Sequence, residues 1–235
     1  MTDHSADSQL RKTARTAGLW YLATVITDVF CLLYLPKKIM VTGNADATAS
    51  NIIANEMLYR IGILVSLISQ VTFVVTALYL YRLFKEVNLR YARLMVALVL
   101  ASVPVAFVSI LNSVAPLVLL SGAEYLSAFS TSQLHAAAMF FLDLDQQFTF
   151  TGELFWGLWL FPFGLLVIKS RFIPRILGIL LIINGFSYLV LSCASLLIPA
   201  HLDTVQTITM APMMIGELSI VLWLLIVGVK SKTVQ

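Results

Sequence analysis

Six long apolar runs dominate this chain of 235 residues, and none of them alternates polar with apolar positions. Each is about 17 to 25 residues long, the length a helix needs to cross a bilayer. A backbone in hydrocarbon must satisfy its own N–H and C=O groups, so such runs form helices or closed barrels; the lack of a two-residue period selects helices. With 60% hydrophobic residues, 11% charged residues and a mean hydropathy of +0.92, little helix surface is left to face water. The expected fold is all-α, a bundle of six transmembrane helices, and its first partner is the lipid bilayer.

The spans are expected at about 18–35, 61–83, 94–119, 148–168, 176–198 and 213–229, inside a membrane domain of residues 15–230 flanked by polar tails 1–14 and 231–235. Arg11, Lys12 and Arg15 precede the first run as in a signal peptide, but bulky residues continue to Leu35 without a small-residue cleavage site. That run is therefore expected to be a retained span. The segment from Thr48 to Tyr59 reads as an interfacial helix leading into span two. Pro104 and Pro116 fall inside span three, where neighbouring helices tolerate kinks. The connection 121–147 is the longest, and its core from Gln133 to Leu142 is too short to span, which suggests a re-entrant or surface helix.

Charge sets the expected orientation. The N-terminal tail, the second and fourth connections and the C-terminus, including Lys230 and Lys232, hold twelve of the fifteen basic residues, leaving Lys37, Lys38 and Arg60 on the other side. By the positive-inside rule both termini are cytoplasmic in an inner membrane, consistent with an even number of spans. The net charge of +3 reflects these helix-end residues and gives no reason to invoke nucleic acid. Cys31 and Cys193 both fall within spans, which argues against a disulfide framework.

One pattern occurs twice: Gly152-Glu153-Leu154, Leu158-Trp159-Leu160 and Gly164, then Gly216-Glu217-Leu218, Leu222-Trp223-Leu224 and Gly228, with seven identities at one spacing. Arg15 and Gly18 also match Arg175 and Gly178, and Leu35-Pro36 matches Ile198-Pro199. These matches suggest three related in-out-in hairpins, the first departing from the pattern with Arg60-Ile61-Gly62 in place of Gly-Glu.

Counting from the inner basic residues at ~1.5 Å each places Asp28, Glu153 and Glu217 roughly 20, 24 and 20 Å above the cytoplasmic border. An ionisable side chain in hydrocarbon costs about 2.5 to 3.5 kcal/mol on insertion scales, so the three acids are expected to face inward. Arg60 at the mouth of span two and His135, Asp143 or Asp145 from the outer segment are within reach of that level. The candidate polar pocket, expected to open toward the outer side, is Asp28, Arg60, Glu153, Glu217 and His135. Three carboxylates facing one arginine cannot all stay ionised without further help. The alternative is structural: the acids pair with Arg60 or with Tyr and Trp donors and hold helices together.

His135, Asp143 and Asp145 lack a tight metal motif, and no P-loop, dinucleotide fingerprint or nucleophile elbow is present, so neither metal nor cofactor is expected. Trp20, Trp156, Trp159 and Trp223 read as packing or interface anchors, and Asn112 and Asn184 as interhelical hydrogen-bonding residues. The stretch from Asp46 to Glu56 leading to Tyr59-Arg60-Ile61-Gly62, the segment from Ser170 to Gly178 and the Gly216-Glu217 ending together resemble the family of bacterial multi-pass membrane proteins called domain of unknown function 4386, over nearly the whole chain from Arg15 to Gly228. The resemblance implies a bacterial membrane protein and carries over no catalytic residues. Three classes remain open: a binder of a small or lipid-like ligand or of a protein partner; a membrane-embedded enzyme with Glu153 or Glu217 as acid or base and Arg60 holding an anionic group; and a proton-coupled transporter. Substrate and oligomeric state are not encoded in any motif.

Overall fold

A computed structural model describes residues 2–229, with side chains from 7 to 229, so Lys230 and Lys232 of the basic C-terminus lie outside the described residues. The described chain contains helices and no strand. Helix α1 (Thr2–Val29) continues through a π turn (Phe30–Tyr34) into α2 (Leu35–Ile39). The N–H of Leu35 reaches back to Phe30 O, a wider loop that accommodates Pro36, which has no N–H of its own to continue the ladder. Then come α3 (Ala45–Ala54), α4 (Glu56–Phe84), α5 (Leu89–Leu119), a 3₁₀ turn (Glu124–Ala128), α6 (Thr131–Ser170), α7 (Arg175–Leu197), a 3₁₀ turn (Pro199–His201) and α8 (Leu202–Ile226). Six helical segments are long and apolar enough to cross a membrane: Asp7–Ile39, Glu56–Phe84, Leu89–Leu119, Thr131–Ser170, Arg175–Leu197 and Pro199–Ile226. Large apolar side chains such as Leu19, Leu64, Leu111, Phe140, Ile183 and Leu222 stand exposed along these helices, as lipid contact requires.

Two elements differ from the sequence expectation. The segment expected to be re-entrant is the first part of α6, a single 40-residue helix. Its start is fixed by a reciprocal cap: Gln133 N–H donates to Ser130 Oγ at 3.3 Å, and Ser130 N–H donates to Gln133 Oε1 at 2.9 Å. No glycine or proline interrupts it until Gly152 and Pro162, so helix propagates through Asp143 and Asp145. Likewise α8 starts at Leu202, ahead of the span expected from about 213, and Asp203 lies in its first turn. Pro104, Pro116, Pro162 and Pro212 all lie inside continuous helices.

The chain forms two compact units, and the four long helices α1, α4, α5 and α6 contribute to both. Within the described residues, the first comprises 2–23, 72–103 and 150–229. An aromatic chain organises its core: Tyr21 and Phe73 meet the Trp159 ring edge-on at 5.8 and 5.1 Å, Phe163 stacks on Trp159 at 5.3 Å, and Phe84 links Phe163 to Phe172. Helix α7 packs on α6 through glycines. A Cβ built on Gly157 would lie 2.7 Å from Gly185 O, and one on Gly164 2.7 Å from Gly178 O. The two contacts are seven residues apart on both helices, so the backbones run antiparallel in close approach over two turns. Helix α8 lies against α7 through Gly216, whose Cβ position is 2.8 Å from Asn184 Cβ. It ends where Gly228 takes a φ of 72° and its N–H returns to Trp223 O at 2.9 Å.

The second unit comprises residues 24–71 and 104–149. Ile39, Ile52, Tyr59 and Leu142 form its buried cluster, with Leu35, Met40, Ile63, Leu117 and Leu120 packed around them. Helix α3 is capped by Asn44, whose side chain accepts from Ala47 N–H at 2.9 Å, and is tied down by Asn51 donating to Ile39 O at 3.1 Å.

Candidate functional site

The two copies of the repeated pattern fall in the first unit, in α6 and at the end of α8. Equivalent letters share some roles and not others. Leu160 and Leu224 are both fully buried. Gly164, however, is mid-helix against the α7 backbone, whereas its counterpart Gly228 terminates α8 in a left-handed conformation. Trp159 is the hub of the aromatic core, as expected of a packing residue.

Glu153 is 8% exposed, and its Oε2 atom is buried without a hydrogen-bond partner among the described residues. Trp156 follows three positions later on the same helix face, and Gly157 one turn on lets α7 approach. That approach brings Leu189 to 3.1 Å from the Gly157 Cβ position and sets the Tyr188 ring edge-on to Trp156 at 6.0 Å. From the other side, Glu217 on α8 accepts from Tyr188 Oη at 3.5 Å. Trp156, Tyr188 and Glu217 thus join three helices through two linked contacts, and Glu153 lies three positions before Trp156 on α6. One turn from Tyr188, Asn184 is fully buried and donates to Met213 O at 3.3 Å, the interhelical bond expected of it, while its Oδ1 has no partner among the described residues. Helices α6, α7 and α8 carry no lysine or arginine apart from Lys169 and Arg175 at the α6–α7 turn, so the charges along their interiors are acidic.

The other candidates belong to the second unit. Asp28 accepts from Ser69 Oγ at 2.5 Å, just before the π turn in which Cys31 Sγ points at Gly62 O. Arg60 directs its guanidinium to Glu56 on its own helix, 2.7 Å away, and both side chains are 53% exposed. His135 Nδ1 lies 2.7 Å from Asp46 Oδ1 and joins α6 to α3. Asp145 lies outside the candidate polar pocket but has a fuller set of partners. Ser109 and Ser113, one turn apart on α5, both direct their hydroxyls to its carboxylate, Ser113 at 2.6 Å, and Tyr59 donates to Ser113 O at 2.7 Å. The sequence signal for this site is the four-residue spacing of Ser109 and Ser113, which meets an acid because α6 is continuous through position 145. Asn112, expected to bond across helices, donates to Val108 O of its own helix.

Among the described residues no group of three or more His, Cys, Asp or Glu side chains is placed to hold a metal ion, and Cys31 and Cys193 are free thiols. Comparison with curated proteins and with solved structures returns no match. The family model described as domain of unknown function 4386 matches residues 16–228, and the chain belongs to that family.

Proposed function

We propose that this integral membrane protein binds a small or lipid-like ligand through Glu153. The observation that carries this reading is the buried Oε2 atom, which has no partner among the described residues. A buried carboxylate oxygen left unbonded costs about 1 to 3 kcal/mol, and such a cost persists in a fold when the group has a task outside folding. Glycines at 157 and 185 bring two backbones together one turn further on, where Trp156 and Tyr188 meet edge-to-face. Mass spectrometry of molecules retained by the purified protein tests the reading. Wild type is expected to carry a species that Glu153→Gln loses; identical retained species in both would sink it.

A proton-coupled carrier is the second reading, favoured by the hydroxyl-bonded acids Asp28 and Asp145 on membrane-spanning helices. A proton flux in proteoliposomes abolished by Asp28→Asn and Asp145→Asn supports it, and no flux above empty vesicles refutes it. In either reading we place the protein in an inner membrane with cytoplasmic termini, on the basic residues of the connections. Single cysteines at Glu86 and Tyr125, in a chain with Cys31 and Cys193 changed to alanine, are expected to react with an impermeant maleimide from the inner and outer side respectively.

A further inference from the structure

The site on α6, α7 and α8 has a chemical preference that its lining defines. We propose that it takes an organic ammonium group, the charged head of an amphiphile, with Glu153 as counter-ion and Trp156 and Tyr188 as aromatic walls. This rests on the ligand-binding reading above and names its substrate class.

Three properties of the site select an ammonium. The ionisable groups there are acidic: Glu153 and Glu217 come from α6 and α8, and the only lysine and arginine on these three helices are Lys169 and Arg175 at the far turn. An anionic head group would meet two acids and no cationic partner on these helices. Next, the surroundings are carbon-rich. Trp156 and Tyr188 meet edge-to-face, Leu189 packs at the Gly157 position, and the glycines add no side chain. A hard metal cation needs about six oxygen ligands and gains nothing from these groups, whereas an alkylated nitrogen is attracted to the faces of aromatic rings and shows apolar methyl or methylene groups to them. Finally, Glu153 Oε2 is buried and has no partner among the described residues, so one carboxylate oxygen is available to a cation without first breaking a protein hydrogen bond. Tyr188 also donates toward Glu217, which orients that second acid beside the aromatic pair. An apolar tail fits the lipid-facing surface of the same helices, where Ile183, Phe186 and Val190 are exposed.

An ammonium head can belong to a free amphiphile or to a phospholipid, and the test separates them. Binding of octyltrimethylammonium, octylamine, octanol and octyl sulfate is measured by calorimetry on the full chain in phosphatidylglycerol nanodiscs, with empty discs as blank. Both ammonium compounds are expected to bind at least about tenfold tighter than octanol, with octyl sulfate weakest. Glu153→Gln removes that preference and Trp156→Leu weakens it several-fold. Should Glu153→Gln fail to fold, the ranking on wild type and the Trp156→Leu comparison decide alone. Binding that depends on Glu153 with no preference for ammonium over octanol overturns this inference and leaves the binding reading standing. Absence of Glu153-dependent binding for every probe overturns both. Where the preference holds, discs containing phosphatidylethanolamine assign the source: competition identifies the lipid head group, and unchanged affinity identifies a free amphiphile.

Discussion

Gly157 and Gly185 meet backbone to backbone: a Cβ on the first would lie 2.7 Å from the carbonyl oxygen of the second, and one on the second 3.0 Å from the carbonyl oxygen of the first. Neither carbonyl can move without disturbing its own helix. Either glycine changed to alanine is expected to force α6 and α7 apart, costing about 1 to 3 kcal/mol, read as lower thermal stability in detergent. Because the pair share one contact, the double substitution costs less than the sum of the two singles. Strict additivity would show that the contact is not formed.

The same close approach sits beside an acid that the fold does not satisfy. Glu153→Leu removes a buried, unbonded oxygen and fills the space with apolar atoms, so it is expected to raise the stability of the ligand-free protein by about 1 to 3 kcal/mol. Glu153→Gln leaves a polar group in place and gains less. A large loss of stability in Glu153→Leu would mean that the carboxylate holds the helices together, the structural alternative. The expected trade of stability against binding is what a functional acid shows.

The helices were legible in the sequence because hydrocarbon imposes one solution on an apolar run, and the family resemblance from Arg15 to Gly228 agrees with the matched 16–228. Boundaries were less legible. Ser130 and Gln133 form a capping box at the start of α6, but polar residues around 143–147 masked the continuity of the helix beyond it. The site was only partly readable. Burial of Glu153 follows from the cost of charge in lipid, whereas the pairing of Arg60 with Glu56 depends on which rotamer competes best at an exposed helix start. Counting depth gives a level along the membrane normal and says nothing about the partner a side chain finds there.

Asp145 is a half-buried acid whose needs are met within the second unit. Ser109 and Ser113 both donate to it, so Asp145→Ala strands two hydroxyls and is expected to cost about 1 to 3 kcal/mol after the serines turn back to their own helix carbonyls. Asp145→Asn keeps an acceptor and costs less. The triple change of Asp145, Ser109 and Ser113 to alanine removes donors and acceptor together. Its unfolding midpoint is expected to lie above that of Asp145→Ala; a midpoint further below would show that the three groups do not form one network.

Arg60 supplies the contrasting case. Its guanidinium bridges to Glu56 one turn away at 2.7 Å, with half of each side chain in contact with solvent. Solvent-exposed pairs of this spacing contribute roughly 0.3 to 0.5 kcal/mol, because water screens the attraction and both long side chains lose freedom. Arg60→Ala and Glu56→Ala are therefore each expected to change stability by less than about 1 kcal/mol, with a coupling in the double variant that shrinks as salt is added. Had Arg60 been the partner of a membrane-buried acid, its removal would leave an unpaired charge and cost about 3 to 5 kcal/mol, independent of salt. The thermal midpoint of Arg60→Ala at low and high ionic strength distinguishes the two, and a large, salt-insensitive drop would return Arg60 to the role that its position in the first hairpin suggested.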